Sequence, residues 1–462
     1  MVGAGITGLS CAHALSSAGT RVLVLEAEER VGGCIQTTSQ DGFVLECGPH
    51  TLRDTSGEVL DHFESLGLGD EVVEISSAGA RRYIVRNGRL VELPGSPLGF
   101  ITSPFLSPLA KLRLFAEPFV GTSGAPDPSL GDFIAHRLGP EVRDGPLDAF
   151  VGGVWAGDPT AISARAVAPD MVQGVERHGS LLRYGLARRK ARGGEAPSSR
   201  RARMFTLQDG LSRWPERLAE TLGAGAVRLG ARVERLEEDG IGWQVHWIEG
   251  GRRRTTKARS VVLSVGPAAA ASIAGEHAPP VRAGLGAIRS ASLSVVHLGF
   301  EADDVSLPDG FGVLVPRREG RDGLGILFVS TLLPNRAPDG RVTTTSFFGG
   351  IRAPEWVDRG EAELCAAARR EHRELLGIDA HPVMCHVQRW HGAIPQYEFA
   401  SEPLADALER YERTQSTLHF AGRYRGGVSV PDCWRRGRKV ADAILAAPPP
   451  ESRAQRNESM GV

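Results

Sequence analysis

Short apolar runs that end in glycine-rich turns mark both ends of this chain. At the start, Val2-Gly3-Ala4-Gly5-Ile6-Thr7-Gly8-Leu9 fits G-x-G-x-x-G and leads into a helical stretch that runs to Ala18. Arg21-Val22-Leu23-Val24-Leu25 then reads as a strand ending in Glu26. In such a unit the first glycine allows the tight turn, the second admits a pyrophosphate close to backbone, and the third lets helix and strand pack. Phosphates face free N–H groups at the positive end of the helix dipole. An acid about 20 residues on accepts hydrogen bonds from ribose hydroxyls. Gly3, Ala4, Gly5, Ile6, Thr7, Gly8 and Glu26 are thereby expected to hold a dinucleotide. The strand before such a turn should have about five residues. Met1 and Val2 stand there, so the start is misassigned or the first strand is clipped.

The pattern continues with Arg30 to Thr37, whose Gly32-Gly33 pair suits a second close approach to a long cofactor. Phe43 to Glu46 is a short strand, followed by Gly48-Pro49-His50-Thr51-Leu52-Arg53. Residues 81–93 read as a hairpin turning at Asn87-Gly88, with Arg82 opening its first strand. From Leu93 to Val120, Phe105, Leu109, Leu112, Phe115 and Phe119 recur at helical spacing, while Pro94, Pro97, Pro104, Pro108 and Pro118 exclude one continuous helix. Two readings stay open for this stretch: a core-packing helical subdomain, and a surface partly embedded in a membrane. Arg183, Arg188, Arg189, Lys190, Arg192, Arg200, Arg201 and Arg203 read as a mobile basic loop, either solvated or drawn to anionic lipid. The glycine-dense stretch Phe150 to Pro159 would let backbone approach a flat ligand.

From Phe205 the pattern is again α/β. A helix is expected over 211–222, and strands over 227–232, 233–236, 243–247 and 260–265. Further strands near 293–300, 312–315, 325–330 and 341–350 suggest an antiparallel sheet, and 361–376 a helix. The last informative stretches are Arg389 to Tyr397 and His419 to Cys433. The second ends in a buried strand, a glycine turn and a helix over 434–445, repeating the logic of the N-terminus. Residues 448–462 are polar, Pro-rich and expected to be disordered.

Composition narrows the class. The 462 residues allow two or more domains, and 41% hydrophobic with 24% charged residues is that of a soluble globular protein. Lys+Arg 54 against Asp+Glu 55 gives a net charge of −1, so no global field steers the chain to nucleic acid. Cys11, Cys34, Cys47, Cys365, Cys385 and Cys433 lack C-x-x-C spacing and are expected to be isolated reduced thiols of a cytosolic protein, with neither metal site nor disulfide. No secretory signal and no run of about 20 apolar residues is present, so a cytoplasmic protein is expected, with peripheral attachment to the inner face of the cell membrane left open.

One dinucleotide fingerprint, an added glycine pair and a returning C-terminal glycine turn favour FAD reduced directly by its substrate, with O₂ or a quinone to reoxidise it. At this point the chain resembles the oxygen-dependent protoporphyrinogen oxidase family, the porphyrinogen oxidase branch of the FAD-dependent amine oxidase superfamily. The specific pieces are Gly153-Val154-Trp155-Ala156-Gly157-Asp158-Pro159, Val296-His297-Leu298-Gly299-Phe300, Gly310-Phe311-Gly312-Val313-Leu314-Val315-Pro316, Ile394-Pro395-Gln396-Tyr397 and Gly427-Val428-Ser429-Val430-Pro431-Asp432-Cys433. The resemblance implies an α/β fold: a Rossmann-like FAD-binding domain, a mixed-sheet substrate domain and an inserted α-helical, membrane-facing domain. It divides the chain into FAD-binding parts at 1–80, 205–285 and 389–447, a substrate-domain hairpin at 81–95, the helical insert at 96–204, a substrate sheet at 286–388 and a tail at 448–462.

The resemblance also implies roles. Arg82 pairs with a porphyrinogen propionate, and the Gly153 carbonyl faces the substrate, so both are expected in the catalytic site. Leu314 and Leu327 sandwich a pyrrole, and Phe347 stacks on a ring. Gly32, Gly33, Gly48, Pro49, His50, Thr51, Val233, Trp390, Val428, Ser429 and Val430 join the glycine turn as contacts of non-covalent FAD. Cys34 and His50 depart from the residues usual in relatives. The implied reaction is six-electron oxidation of protoporphyrinogen IX to protoporphyrin IX by O₂, releasing H₂O₂ late in haem biosynthesis, with a homodimer left open. Neither a catalytic triad nor an acid–base dyad is expected; His178, His297 and His391 are structural histidines or proton relays. The alternatives are coproporphyrinogen III oxidation on the same fold, an amine oxidase or carotenoid desaturase, and a non-catalytic porphyrin-binding protein.

Overall fold

The computed structural model describes residues 1–121, 127–191, 203–240, 242–414 and 417–447. A parallel sheet lies beneath the first glycine turn. Val2 bridges Leu25 on one side and Leu263 on the other. Val24–Leu25 pairs in parallel with Val227–Arg228, and Val261–Leu263 with Leu418–Phe420. The Val2 N–H donates to Val262 O at 2.8 Å and the Gly3 N–H to Leu25 O at 2.8 Å, while Met1 O accepts from Leu25 N at 2.9 Å. Residues 1–3 thus pair on both sides at the middle of the sheet.

Two helices, Ile6–Ser17 and Val430–Ala446, pack side by side against this sheet. Gly437 makes their approach possible, since a Cβ there would run into Thr7 O, and Ser10 Oγ donates to Trp434 O at 2.9 Å. An antiparallel meander of Ala231–Asp239, Gly242–Glu249 and Arg252–Ala258 joins at Glu26, whose carbonyl accepts from Ala231 N at 2.7 Å. The last of these strands was not expected. It is an edge strand of largely exposed Arg, Thr and Lys, with no apolar face to announce it.

A second sheet has seven strands in the order 384–395, 290–301, 341–349, 323–327, 312–314, 83–86, 89–92. It is antiparallel except where Gly312–Leu314 runs parallel to Tyr83–Arg86. The sheet is therefore mixed, not antiparallel, and the hairpin at Asn87-Gly88 forms its edge. The strand expected over 325–330 ends at Leu327, and Val329–Leu332 turns as a helix.

The third body is helical. Leu130–Leu138, Asp148–Trp155 and Pro169–His178 share a core of Leu130, Phe133, Ile134, Val151, Val172 and Val175. The stretch 150–155 is helix, and the chain turns only after it, at Ala156 with φ +47. Ahead of this core, Pro97–Thr102 and Pro108–Phe115 are two short helices. The core-packing reading of 93–120 fails for four of its five helically spaced positions, Leu109, Leu112, Phe115 and Phe119, which are exposed with Leu98 and Ile101, Phe119 by 86%. The basic run is no loop at Arg183 to Lys190, which lie in the helix Leu181–Ala191, and Arg203 opens a strand. Arg192, Arg200, Arg201 and the tail 448–462 lie outside the described residues. Among the described residues no helix is long and apolar enough to cross a membrane.

One expectation about cysteine is overturned. Cys365 and Cys385 are disulfide-bonded, with their Cα atoms 6.4 Å apart. Helix Glu361–Glu371 packs on the strands 290–301 and 384–395, which brings together two residues whose separation in sequence shows no recognisable spacing. Cys11, Cys34, Cys47 and Cys433 are free.

Candidate active site

The first glycine turn is built by three different requirements. Gly3 has φ +98, and a Cβ there would lie 2.9 Å from Ser264 O. A Cβ on Gly8 would run into Gly3 O and Ser264 Oγ. These two glycines serve the turn itself. Gly5 differs: it caps the helix in extended conformation, and a Cβ there would meet nothing within 4 Å. It opens onto a helix start, led by Ile6, Thr7 and Gly8, whose N–H groups have no side-chain cap. Glu26 is held at the turn, its Oε2 accepting from Ala4 N at 2.6 Å and its Oε1 from Glu28 N at 2.9 Å.

Further segments close around this opening. Gly32 N donates to Ala4 O at 2.8 Å, and a Cβ on Gly33 would be 3.4 Å from Gly5 Cα. Arg30 braces that turn by donating to Gly33 O at 2.6 Å, and its guanidinium lies 5.9 Å from the Trp390 ring centroid. Gly48 lies so close to Cys34 O that no Cβ fits, and half-buried Pro49 and Thr51 flank buried His50. Val430 packs in one cluster with Ala4 and Ile6, so the second glycine turn, with Val428 and Ser429, stands beside the first. Ser429 caps its helix, accepting from Asp432 N at 3.2 Å. Val233 follows Ala231 along the strand that meets Glu26, with its side chain in the core. A dinucleotide fits this arrangement: the cradle opens where Gly5 has no side chain, beside uncapped helix N–H groups and an acid fixed in place.

The residues expected on the substrate side converge on the second sheet. Leu314 lies opposite Gly325, and Gly325 opposite Phe347, so the three form one row across three strands. Directly paired residues face the same side of a sheet; glycine is needed at 325 because a Cβ there would lie 2.5 Å from Val313 O, and Leu314 Cδ2 packs 3.4 Å from that position. Leu314 Cδ2 stands 2.6 Å from where Gly153 would carry a Cβ, so the helix Asp148–Trp155 rests on Leu314. Leu327 packs with Val329, Leu332 and Leu333, against which Ile75, Phe311 and Phe347 lie. Phe347 and Trp390 meet in the next cluster, with Leu293, Val295 and Ala393. Trp390 also donates to Cys47 O at 2.7 Å and so ties the apolar wall to the cradle.

Arg82 lies at the edge of this wall. It donates to Met204 Sδ at 3.6 Å, and its guanidinium is 5.3 Å from the Phe311 ring centroid. It is exposed and makes no ion pair among the described residues. Burial of its inner part, then the nearby Arg53 charge, lower its pKa.

His50 joins both halves. It lies edge-on to Phe347 at 5.9 Å. Its Nδ1 is 3.1 Å from Gly48 O, its Nε2 is 3.1 Å from Thr345 Oγ1, and Thr345 Oγ1 is 2.9 Å from His297 Nδ1. A carbonyl only accepts, so Nδ1 of His50 carries the hydrogen, Thr345 donates to Nε2, and His297 Nδ1–H donates to Thr345. Burial lowers His50 to about 4 and His297 well below its usual value, so both rings are neutral. His178 instead stacks on Tyr184, and exposed His391 stands 4.0 Å from Asp358.

The motif 153–159 meets other distinctive segments in one place. Gln396 Nε2 donates to Trp155 O at 2.8 Å, Ile351 N to Ala156 O at 2.8 Å, and Arg352 Nε to Asp158 at 3.1 Å. Tyr397 O accepts from Ser163 N at 2.8 Å. Its hydroxyl accepts from Gly427 N at 3.0 Å and donates to Arg423 O at 2.5 Å. Sequence reading missed Arg30, Thr345 and Arg352. Thr345 sits in a run of threonines with no distinguishing signal, whereas Arg30 directly precedes Val31 and the glycine pair and could have been read as its brace.

The flavin containing amine oxidoreductase family matches residues 6–445. Protoporphyrinogen oxidase 2 of Arabidopsis thaliana is 30% identical over 479 aligned residues, covering 96% of this chain and 93% of that protein. Coproporphyrinogen III oxidase of Bacillus subtilis is 26% identical, covering 96% and 97%. A crystal structure from Exiguobacterium sp. 255-15, described as a candidate protoporphyrinogen oxidase, superposes with a TM-score of 0.81 at 22% identity, covering 96% and 97%. The glycine cradle, the mixed sheet beside it and these likenesses along nearly the whole chain agree: it belongs to the flavin containing amine oxidoreductase family, in the protoporphyrinogen oxidase branch, and its cofactor is FAD.

Proposed function

We propose that this oxidoreductase converts protoporphyrinogen IX to protoporphyrin IX with O₂ as acceptor. The observation that carries the reading is the apolar face of Leu314, Leu327 and Phe347, with Arg82, which pairs with no carboxylate among the described residues, at its edge. An apolar macrocycle with carboxylate arms matches that combination. Bound FAD supplies the two-electron acceptor, taking a hydride from a ring carbon. Gly3 to Gly8, Glu26, Gly32, Gly33 and Val428 to Val430 hold it. Leu314, Leu327 and Phe347 orient the macrocycle and exclude water, while helix Asp148–Trp155 packs on Leu314 at Gly153. Arg82 anchors a propionate in the fork geometry of a guanidinium. Neutral His50 keeps an uncharged, fixed surface between the two halves.

Coproporphyrinogen III is the second reading, favoured by Arg53 next to Arg82. An aerobic fluorescence assay with both porphyrinogens decides between them, and turnover of neither refutes the proposal. The proposal extends to location: the exposed face of Leu98, Ile101, Leu109, Leu112, Phe115 and Phe119, with Lys111 and Arg113 beside it, rests on a membrane surface without crossing it.

A further inference from the structure

We infer that Arg53 and Arg82 form a two-guanidinium clamp that takes two carboxylates carried on one edge of an apolar macrocyclic substrate. The inference rests on the porphyrinogen reading and specifies its substrate class. Arg53 is directly paired with Met204 across antiparallel strands, so the two side chains lie on one face about 5 Å apart. Met204 Sδ is the atom that Arg82 Nη2 approaches at 3.6 Å. Met204 therefore sits between two guanidinium groups that come from different strands.

The surrounding arginines are matched by carboxylates. Arg81 pairs with Asp309 at 2.8 Å, Arg203 with Glu74 and Arg213 with Glu71 at 3.4 Å. Arg53 and Arg82 are both exposed and pair with no carboxylate among the described residues. Two adjacent like charges repel, and a dianion laid across them relieves that repulsion. The floor under the clamp is apolar. Phe311, which lies beneath Arg82, packs on the cluster of Leu327 and Phe347, and Ile75 on the strand next to Met204 packs there too. The clamp thus stands at the edge of the apolar face, where carboxylate arms reach water while the macrocycle lies against Leu327 and Phe347. The same two charges repel a protonated amine, which separates this site from that of an amine oxidase.

Fluorescence titration of the FAD-loaded protein with a stable dicarboxylic porphyrin, its monomethyl ester and its dimethyl ester tests the clamp. Wild type should bind diacid over monoester over diester, each step worth roughly tenfold, the size of one charged hydrogen bond. Arg53→Gln should bind diacid about as weakly as monoester, with diester affinity unchanged and the flavin spectrum intact. Arg53→Lys should recover part of the loss. Diacid affinity unchanged in Arg53→Gln overturns the clamp and leaves the porphyrinogen reading standing. Failure of wild type to bind any of the three porphyrins overturns that reading, and the clamp with it.

Discussion

Replacing Gly5 by valine separates cofactor binding from folding. Gly5 has φ −70 and ψ 171, a conformation any L residue adopts, and a Cβ there meets nothing within 4 Å. The change costs the flavin-free protein about 1 kcal/mol, the loss of a favourable helix cap. The two γ-methyl groups, however, stand where a pyrophosphate meets the helix N–H groups. Losing two charged hydrogen bonds at about 1.5–3 kcal/mol each removes roughly 3–6 kcal/mol of binding. At about 1.4 kcal/mol per decade, FAD affinity should fall between about 10² and 10⁴-fold. Gly8→Ala is the contrast, because its Cβ runs into Gly3 O and Ser264 Oγ inside the fold. It should destabilise the flavin-free protein by about 1–3 kcal/mol. Urea unfolding of both flavin-free variants, with titration of FAD by flavin fluorescence, measures the two quantities independently. Wild-type FAD affinity in Gly5→Val would refute the cradle, and so would flavin-free destabilisation as large as that of Gly8→Ala.

Three further outcomes are expected. Burial pushes the Glu46 carboxyl from 4.5 to about 7, beside Arg336 at 3.6 Å. A raised folded pKa means that its contribution is full below pH 4.5 and lost as pH rises through 7. Wild type should therefore lose up to about 3 kcal/mol more stability than Glu46→Gln between pH 4.5 and 8, read from urea midpoints. Gly437→Val should force the helices Ile6–Ser17 and Val430–Ala446 apart at Thr7 O and lower the melting temperature of the flavin-free protein; an unchanged value would contradict the packing. Phe119→Asp, at an 86% exposed position, should leave stability and flavin content unchanged while weakening sedimentation with anionic vesicles; unaltered sedimentation would count against the membrane-facing proposal.

The cradle was legible because it depends on backbone. Gly3, Gly5 and Gly8 are set by sterics that hold wherever this turn occurs, so their spacing alone locates them. The apolar row across the second sheet was less so. Leu314, Gly325 and Phe347 are brought into line by strand register, and no local pattern reveals which residues across three strands face one another. The resemblance supplied Leu314 and Phe347, but Gly325, which lets the strand of Val313 approach closely, went unremarked. Strand Met384–Pro395 was read only as a distinctive stretch, because its His, Gln and Arg positions are half-buried and show no alternation. The Cys365–Cys385 bond was hidden for a related reason: it joins a helix to a sheet, and only packing brings the two sulfurs together. Short apolar helices between prolines left burial undecided, and the exposure of Phe115 and Phe119 settled what periodicity could not.

Tyr397 has a consequence for how the molecule responds to its cofactor. Its carbonyl receives Ser163 from the helical body, its hydroxyl receives Gly427 from the C-terminal glycine turn, and Gln396 beside it grips Trp155. Burial raises the phenol to about 12, so the hydroxyl keeps its proton and its bond to Arg423 O across the physiological range. Opening the helical body therefore means breaking bonds anchored on the cofactor turn. By linkage, a ligand that steadies the turn must also slow amide exchange around Trp155 to Ser163, and loosening that segment must weaken the ligand by the same free energy. With the C-terminal glycine turn holding flavin as proposed, a helical body some distance along the chain from the glycine cradle would share in setting how tightly flavin is kept.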